Sequence, residues 1–152
     1  LLLEAPALYR YIQMRIETTA TLVGELREIT AQTDTDLEVM PSAFGNPVAR
    51  AWREGMSLQR LAQVCDGMIP LAYYADPHET RADIRWTQML SGDTPLSVGL
   101  TACHPVTGSA GTLVANAQVC AQEGAAGVYY YNYGMLNQER LGWVREANEA
   151  VG

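Results

Sequence analysis

A chain of 152 residues with 48% hydrophobic side chains is long enough for one domain and apolar enough to bury a core, which excludes a disordered protein. Its 17 acids against 10 bases leave a formal charge of −7 with no Lys/Arg cluster, so no nucleic acid partner is expected. No apolar run approaches the ~18 residues that span a bilayer, and no membrane partner is expected either.

Cys65, Cys103 and Cys120 are odd in number, lack CxxC spacing and sit in apolar segments, so they read as buried thiols. They leave the compartment open. The start, LLLEAPALYR, has no basic segment followed by a long apolar core, so it does not read as a signal peptide. Leu1 stands where a natural start would have Met, which suggests a piece cut from something longer.

In chain order, Leu8, Ile12, Ile16, Leu22, Val23, Leu26 and Ile29 recur at helical spacing. They predict a long amphipathic helix from Pro6 to about Ala31, with Pro6 in its first turn. The polar run Gln32–Asp36 ends it. A first strand is expected over Leu37–Phe44, broken by Gly45-Asn46-Pro47, and Ser57 is placed to cap the helix of SLQRLAQVC.

Gly67–Glu79, GMIPLAYYADPHE, is the stretch that best displays the repeated design: a short apolar run, two tyrosines, then Asp-Pro opening a helix. Pro70 conflicts with a central strand because proline cannot donate to the ladder, so it is placed near the strand's start. A helix over 78–91, a third strand over 95–103, the turn TGSAG at 107–111 and a helix ending at Gly124 follow. The fourth strand is expected over 127–133, with Asn137 capping a last helix over 138–150.

The fold class is therefore α/β: one helix, then four βα units with parallel strands and links suited to right-handed crossovers. Such units fit half of a (β/α)8 barrel, for which about 250 residues is typical, or a small open doubly wound sheet. No linker divides the chain, so 1–152 is expected to be a single domain.

The runs YRYIQMRIETTATLVGELREI, LEVMPSAFGN, SLQRLAQVCDGMIPLAYYAD, TPLSVGL and AAGVYYYNYGML, in this order, resemble the C-terminal half of bacterial glycoside-hydrolase-like (β/α)8 (TIM) barrels. They are distantly similar to family 18 chitinases. The resemblance implies that Leu37–Phe44, Gly67–Ala75, Leu96–Cys103 and Gly127–Tyr133 are barrel strands five to eight. The family's acid motif on strand four would then lie outside the chain. Leu71-Ala72-Tyr73-Tyr74 would align with Met-x-Tyr-Asp, keeping Tyr73 and replacing the aspartate by Tyr74, and Tyr131 would stand where the family usually has Trp.

The resemblance implies a hydrolase of glycosidic bonds in the intact parent, a carbohydrate ligand, no cofactor, and self-association or pairing with the missing half. A non-catalytic carbohydrate-binding or structural half-barrel and a phosphate-ligand barrel enzyme are the alternatives. The phosphate would sit on Gly108-Ser109-Ala110-Gly111, a turn that equally reads as an ordinary helix entry.

Glycosidic hydrolysis needs two carboxylates, and the strand ends offer Asp76 with Glu79 nearby. Asp76 reads as a catalytic acid against the walls of Tyr73 and Tyr74, or as the N-cap of the next helix with Pro77 at N1 and Glu79 at N3. Tyr129, Tyr131 and Tyr133 alternate with Tyr130 and Asn132, which puts three rings on one side and Asn132 on the other. Tyr131, Tyr73, Asn132, His104 and Ser42 are the expected ligand contacts, each with a plain structural alternative. No His/Cys/Asp/Glu spacing suggests a metal site.

Overall fold

A computed structural model describes residues 5–33, 38–44, 52–103 and 105–152. Its elements are α1 (Pro6–Ala31), β1 (Ser42–Phe44), α2 (Leu58–Leu61), β2 (Ile69–Leu71), α3 (Pro77–Ser91), β3 (Ser97–Thr101), α4 (Ala110–Gln122), β4 (Gly127–Tyr131), a 3-10 turn (Tyr133–Met135) and α5 (Gln138–Glu149). The strands form one parallel sheet in the order β1-β2-β3-β4.

The sheet is open: among the described residues no strand joins β4 back to β1. The barrel expectation is thereby corrected, and the open-sheet alternative describes what these residues build. A barrel requires every strand to have two neighbours, and β1 and β4 each have one. Pairing with a missing half was a consequence of the barrel and falls with it.

Local chemistry explains the element boundaries. The Ser57 hydroxyl accepts from the Arg60 N–H, Ser109 from Thr112, and Asn137 from Arg140, so each helix start has an oxygen for an N–H that the helix leaves unpaired. Gly92 and Gly124 follow the ends of α3 and α4 at φ of 62° and 73°, a region that favours glycine. The helix expected for SLQRLAQVC is shorter than its pattern suggests, ending at Leu61.

Pro70 is buried at the middle of β2, in register with Ala43. The Ile69 N–H donates to Pro41 on the β1 side, whereas those of Met68 and Ala72 donate to Pro95 and Gly99 on the β3 side. Proline's missing donor therefore faces β3. There the pairing thins to a Met68–Leu96 bridge followed by Leu71–Gly99, which resolves the conflict between a proline and a central strand.

Along β3 and its flanks Leu96, Val98, Leu100 and Ala102 alternate with Ser97, Gly99 and Thr101. The first set joins the core. Val98, Leu100 and Ala102 pack with Ile84, Leu113, Ala117, Cys120 and Ala147, and Leu96 with Met68, Val23, Leu58, Leu61 and Cys65. Each helix contacts the next from α1 to α5, so α4 is held between α3 and α5.

All three cysteines are free and buried. Burial pushes the Cys120 thiol up to about 12, and burial followed by the nearby Cys120 does the same to the Tyr130 phenol. These thiols are core residues.

On α1 the buried stripe is Ile12, Ile16, Ala20 and Val23, while Leu22, Leu26 and Ile29 are exposed. The apolar positions of this helix thus exceed what its packing uses.

Glu123, just after α4, accepts from Arg85 at 2.7 Å and Arg81 at 2.9 Å, tying the end of α4 to α3. The Arg85 hydrogen bond, then that of Arg81, holds its carboxyl below the ordinary 4.5 against the opposing effect of burial. A depressed carboxylate stabilises the fold fully above its unfolded value, and the contribution is lost as pH falls through the lower folded value. Chemical unfolding should therefore show a stability gap between wild type and Glu123→Gln at pH 7 that narrows at pH 3.

Candidate functional site

The sheet carries a groove of about 310 Å³ lined by side chains of strands, of the loops that follow them and of the 3-10 turn, with no α-helix residue among the described residues of its wall. Its floor follows from the period-two alternation of parallel strands: Ile69 and Leu71 from β2, Gly99 from β3, and Tyr129 and Tyr131 from β4 share one face. Tyr73, Asn132 and Tyr133 from the following loops complete its end.

Gly99 shapes that floor. A Cβ there would lie 2.7 Å from Leu71 Cδ2, so glycine lets the Leu71 side chain cross β3. Leu71 and Gly99 are also the register pair of β2 and β3.

The rings of Tyr73 and Tyr131 lie with centroids 5.6 Å apart and planes at 35°. This separation is within the range of favourable aromatic pairs. Burial, then the adjacent Tyr131 phenol, raises the Tyr73 phenol above its ordinary value of 10.0, so the Tyr73 ring is neutral at physiological pH. Tyr129, Tyr131 and Tyr133 are 54%, 50% and 79% exposed, which leaves their faces accessible to a ligand.

Asn132 lies on the groove with the rings and not on the opposite side, because β4 ends at Tyr131 and the strand alternation stops there. Its Oδ1 accepts from the Met135 N–H and caps the 3-10 turn, so its amide nitrogen is the end left to donate to a ligand. The loop after β3 is braced from beneath. Thr107 Oγ1 donates to the Thr101 carbonyl, and the Cys103 N–H donates to Thr101 Oγ1 at 3.2 Å.

The other expected site residues are elsewhere. Asp76 caps α3, its carboxylate accepting from the His78 N–H at 2.8 Å, and it does not line the groove. Ser42 is exposed at the start of β1 and does not line it either. His104 lies outside the described residues. The turn at Gly108–Gly111 serves α4 through the Ser109 cap.

Replacing Asp76 by Ala removes one capping hydrogen bond and should cost about 1 kcal/mol in urea unfolding. Asp76→Asn should retain most of it, since an amide oxygen can accept the same bond.

Sequence reasoning missed Ile69, Leu71 and Gly99 as groove residues. The usable signal was the spacing 69, 71, 73 beside 97, 99, 101 and 129, 131, which places one residue of each strand on a common face.

No glycosidase geometry is present among the described residues. Among the described residues the groove wall has no carboxylate to serve as a general acid or base. No group of three or more His, Cys, Asp or Glu among the described residues could hold a metal ion, and no described helix is long and apolar enough to cross a membrane.

What the described residues form is an open-sheet α/β domain bearing a tyrosine-lined groove with no charged side chain among those residues. Comparison with protein-family models, curated proteins and solved structures finds no match. The resemblance to glycoside-hydrolase-like and chitinase-type barrels is therefore overturned on both counts, and with it the hydrolase and carbohydrate-ligand readings.

Proposed function

We propose that this chain is a non-catalytic binding domain whose groove seats a flat, uncharged aromatic ligand. The reading is carried by the Tyr73–Tyr131 ring pair, set 5.6 Å apart over a floor of Ile69, Leu71 and Gly99. Aliphatic floor and phenol walls suit a π-face, while the absence of charged side chains among the described lining residues disfavours an ionic ligand, which would lose hydration without gaining a partner. The Asn132 amide and the tyrosine hydroxyls supply polar contacts at the periphery.

A non-catalytic role fits the described lining residues, which include neither an acid-base pair nor an activated nucleophile. The test is ligand-observed NMR with indole and other neutral bicyclic aromatics, followed by Tyr131→Ala and Tyr73→Ala. Loss of one stacking wall should weaken binding by about 1–2 kcal/mol, roughly five- to thirtyfold. Indole binding that is absent, or unchanged in both folded variants, would reject the reading.

A further inference from the structure

We propose that the outer edge of β4 takes an extended, basic peptide segment of another protein by strand addition. The backbone specifies the occupant. Ala126 donates its N–H to Leu96 on the β3 side, so alternation turns the N–H and C=O of Gly127 and Tyr129 outward. Among the described residues β4 has β3 as its only strand neighbour, and neither residue has a further backbone bond outside that ladder. A row of free backbone donors and acceptors at strand spacing is complementary to another extended backbone.

The edge also lacks the usual defences. Gly127–Tyr131 contains no lysine, proline or bulge, and its register with Ser97–Thr101 is unbroken over five residues. β1, at the other end of the sheet, has three residues and follows Pro41.

Two arguments favour a peptide over a second copy. Five residues span about 17 Å, and pairing along that length buries on the order of a few hundred Å², well below the about 800 Å² per partner of a stable folded interface. Two copies, each carrying a formal charge of −7, also repel, whereas a lysine-bearing strand is attracted.

The experiment is amide hydrogen exchange on the 152-residue chain with a capped peptide of alternating valine and threonine bearing a lysine at each end. Protection of the Gly127 and Tyr129 amides should rise at least tenfold. It should be lost when the peptide's pairing amides are N-methylated, a control that leaves the protein untouched. Tyr129→Pro removes an outward donor that the β3 ladder does not use and should abolish the effect, while Tyr129→Phe should keep it. Three outcomes would overturn the proposal: unchanged protection of both amides, retained protection with the methylated peptide, or the same protection arising without peptide in a sedimenting dimer.

Discussion

Leu113→Ala is expected to lower the unfolding free energy by about 3 kcal/mol. Leu113 is 1% exposed on α4, the helix held between α3 and α5, and packs in the cluster containing Val98, Leu100 and Ile84. Truncation removes the transfer free energy of the buried methyl groups and leaves a cavity that neighbours on several elements cannot all collapse into. Against a typical total of about 5–15 kcal/mol this is a large share, so the urea midpoint should fall markedly at nearly constant m. Leu22→Ala, at a position 55% exposed on α1, is the control and should change stability by no more than about 0.5 kcal/mol.

Asn116→Ala should cost about 2 kcal/mol, through hydrogen bonds more than volume. Asn116 is 2% exposed, and its Oδ1 accepts from the hydroxyl of Thr80, which is fully buried. Its amide donates to the Thr112 carbonyl at 2.9 Å and the Tyr74 carbonyl at 3.4 Å. The pair therefore joins α3, α4 and the loop after β2. Alanine leaves the Thr80 hydroxyl buried without this acceptor and withdraws a donor from Tyr74, so the penalty exceeds that of one exchanged hydrogen bond. A cycle with Thr80→Val isolates the coupling: once the hydroxyl is gone, Asn116→Ala should cost about 1 kcal/mol less. Equal costs in both backgrounds would show that the Thr80–Asn116 bond adds nothing to stability.

Much of the fold was legible because its signals are local. Pro6, Ser57, Asp76-Pro77, Gly124 and Asn137 mark helix ends by chemistry that acts within a few residues, and the helices begin or stop beside them. The apolar runs around 67–75, 95–103 and 127–133 contain β2, β3 and β4, although the strands are shorter than the runs. Part of the first strand prediction, Leu37, and the Gly45-Asn46-Pro47 break lie outside the described residues. Helical periodicity on α1 misjudged the face. Leu22, Leu26 and Ile29 have the same spacing preference as Ile16 and Val23, and only the positions of α2 and its neighbours select which are covered.

The candidate site was less legible. Asp76 had two local readings, and the structure shows the cap contact, its carboxylate accepting from the His78 N–H. Tyr73 and Tyr131 are far apart in sequence, and the parallel pairing of β2, β3 and β4 brings their rings together. Gly99 gave no chemical signal of its own, because its role is to leave room for Leu71, a side chain from another strand.

By itself, then, the sequence determined the α/β class, the helix caps, the acidic charge and the burial of three thiols, all of which follow from composition or from interactions between near neighbours. The tertiary structure decided that the described strands form an open sheet and which tyrosines meet. These outcomes depend on strand order and register, contacts between residues distant along the chain, for which a short motif carries no information.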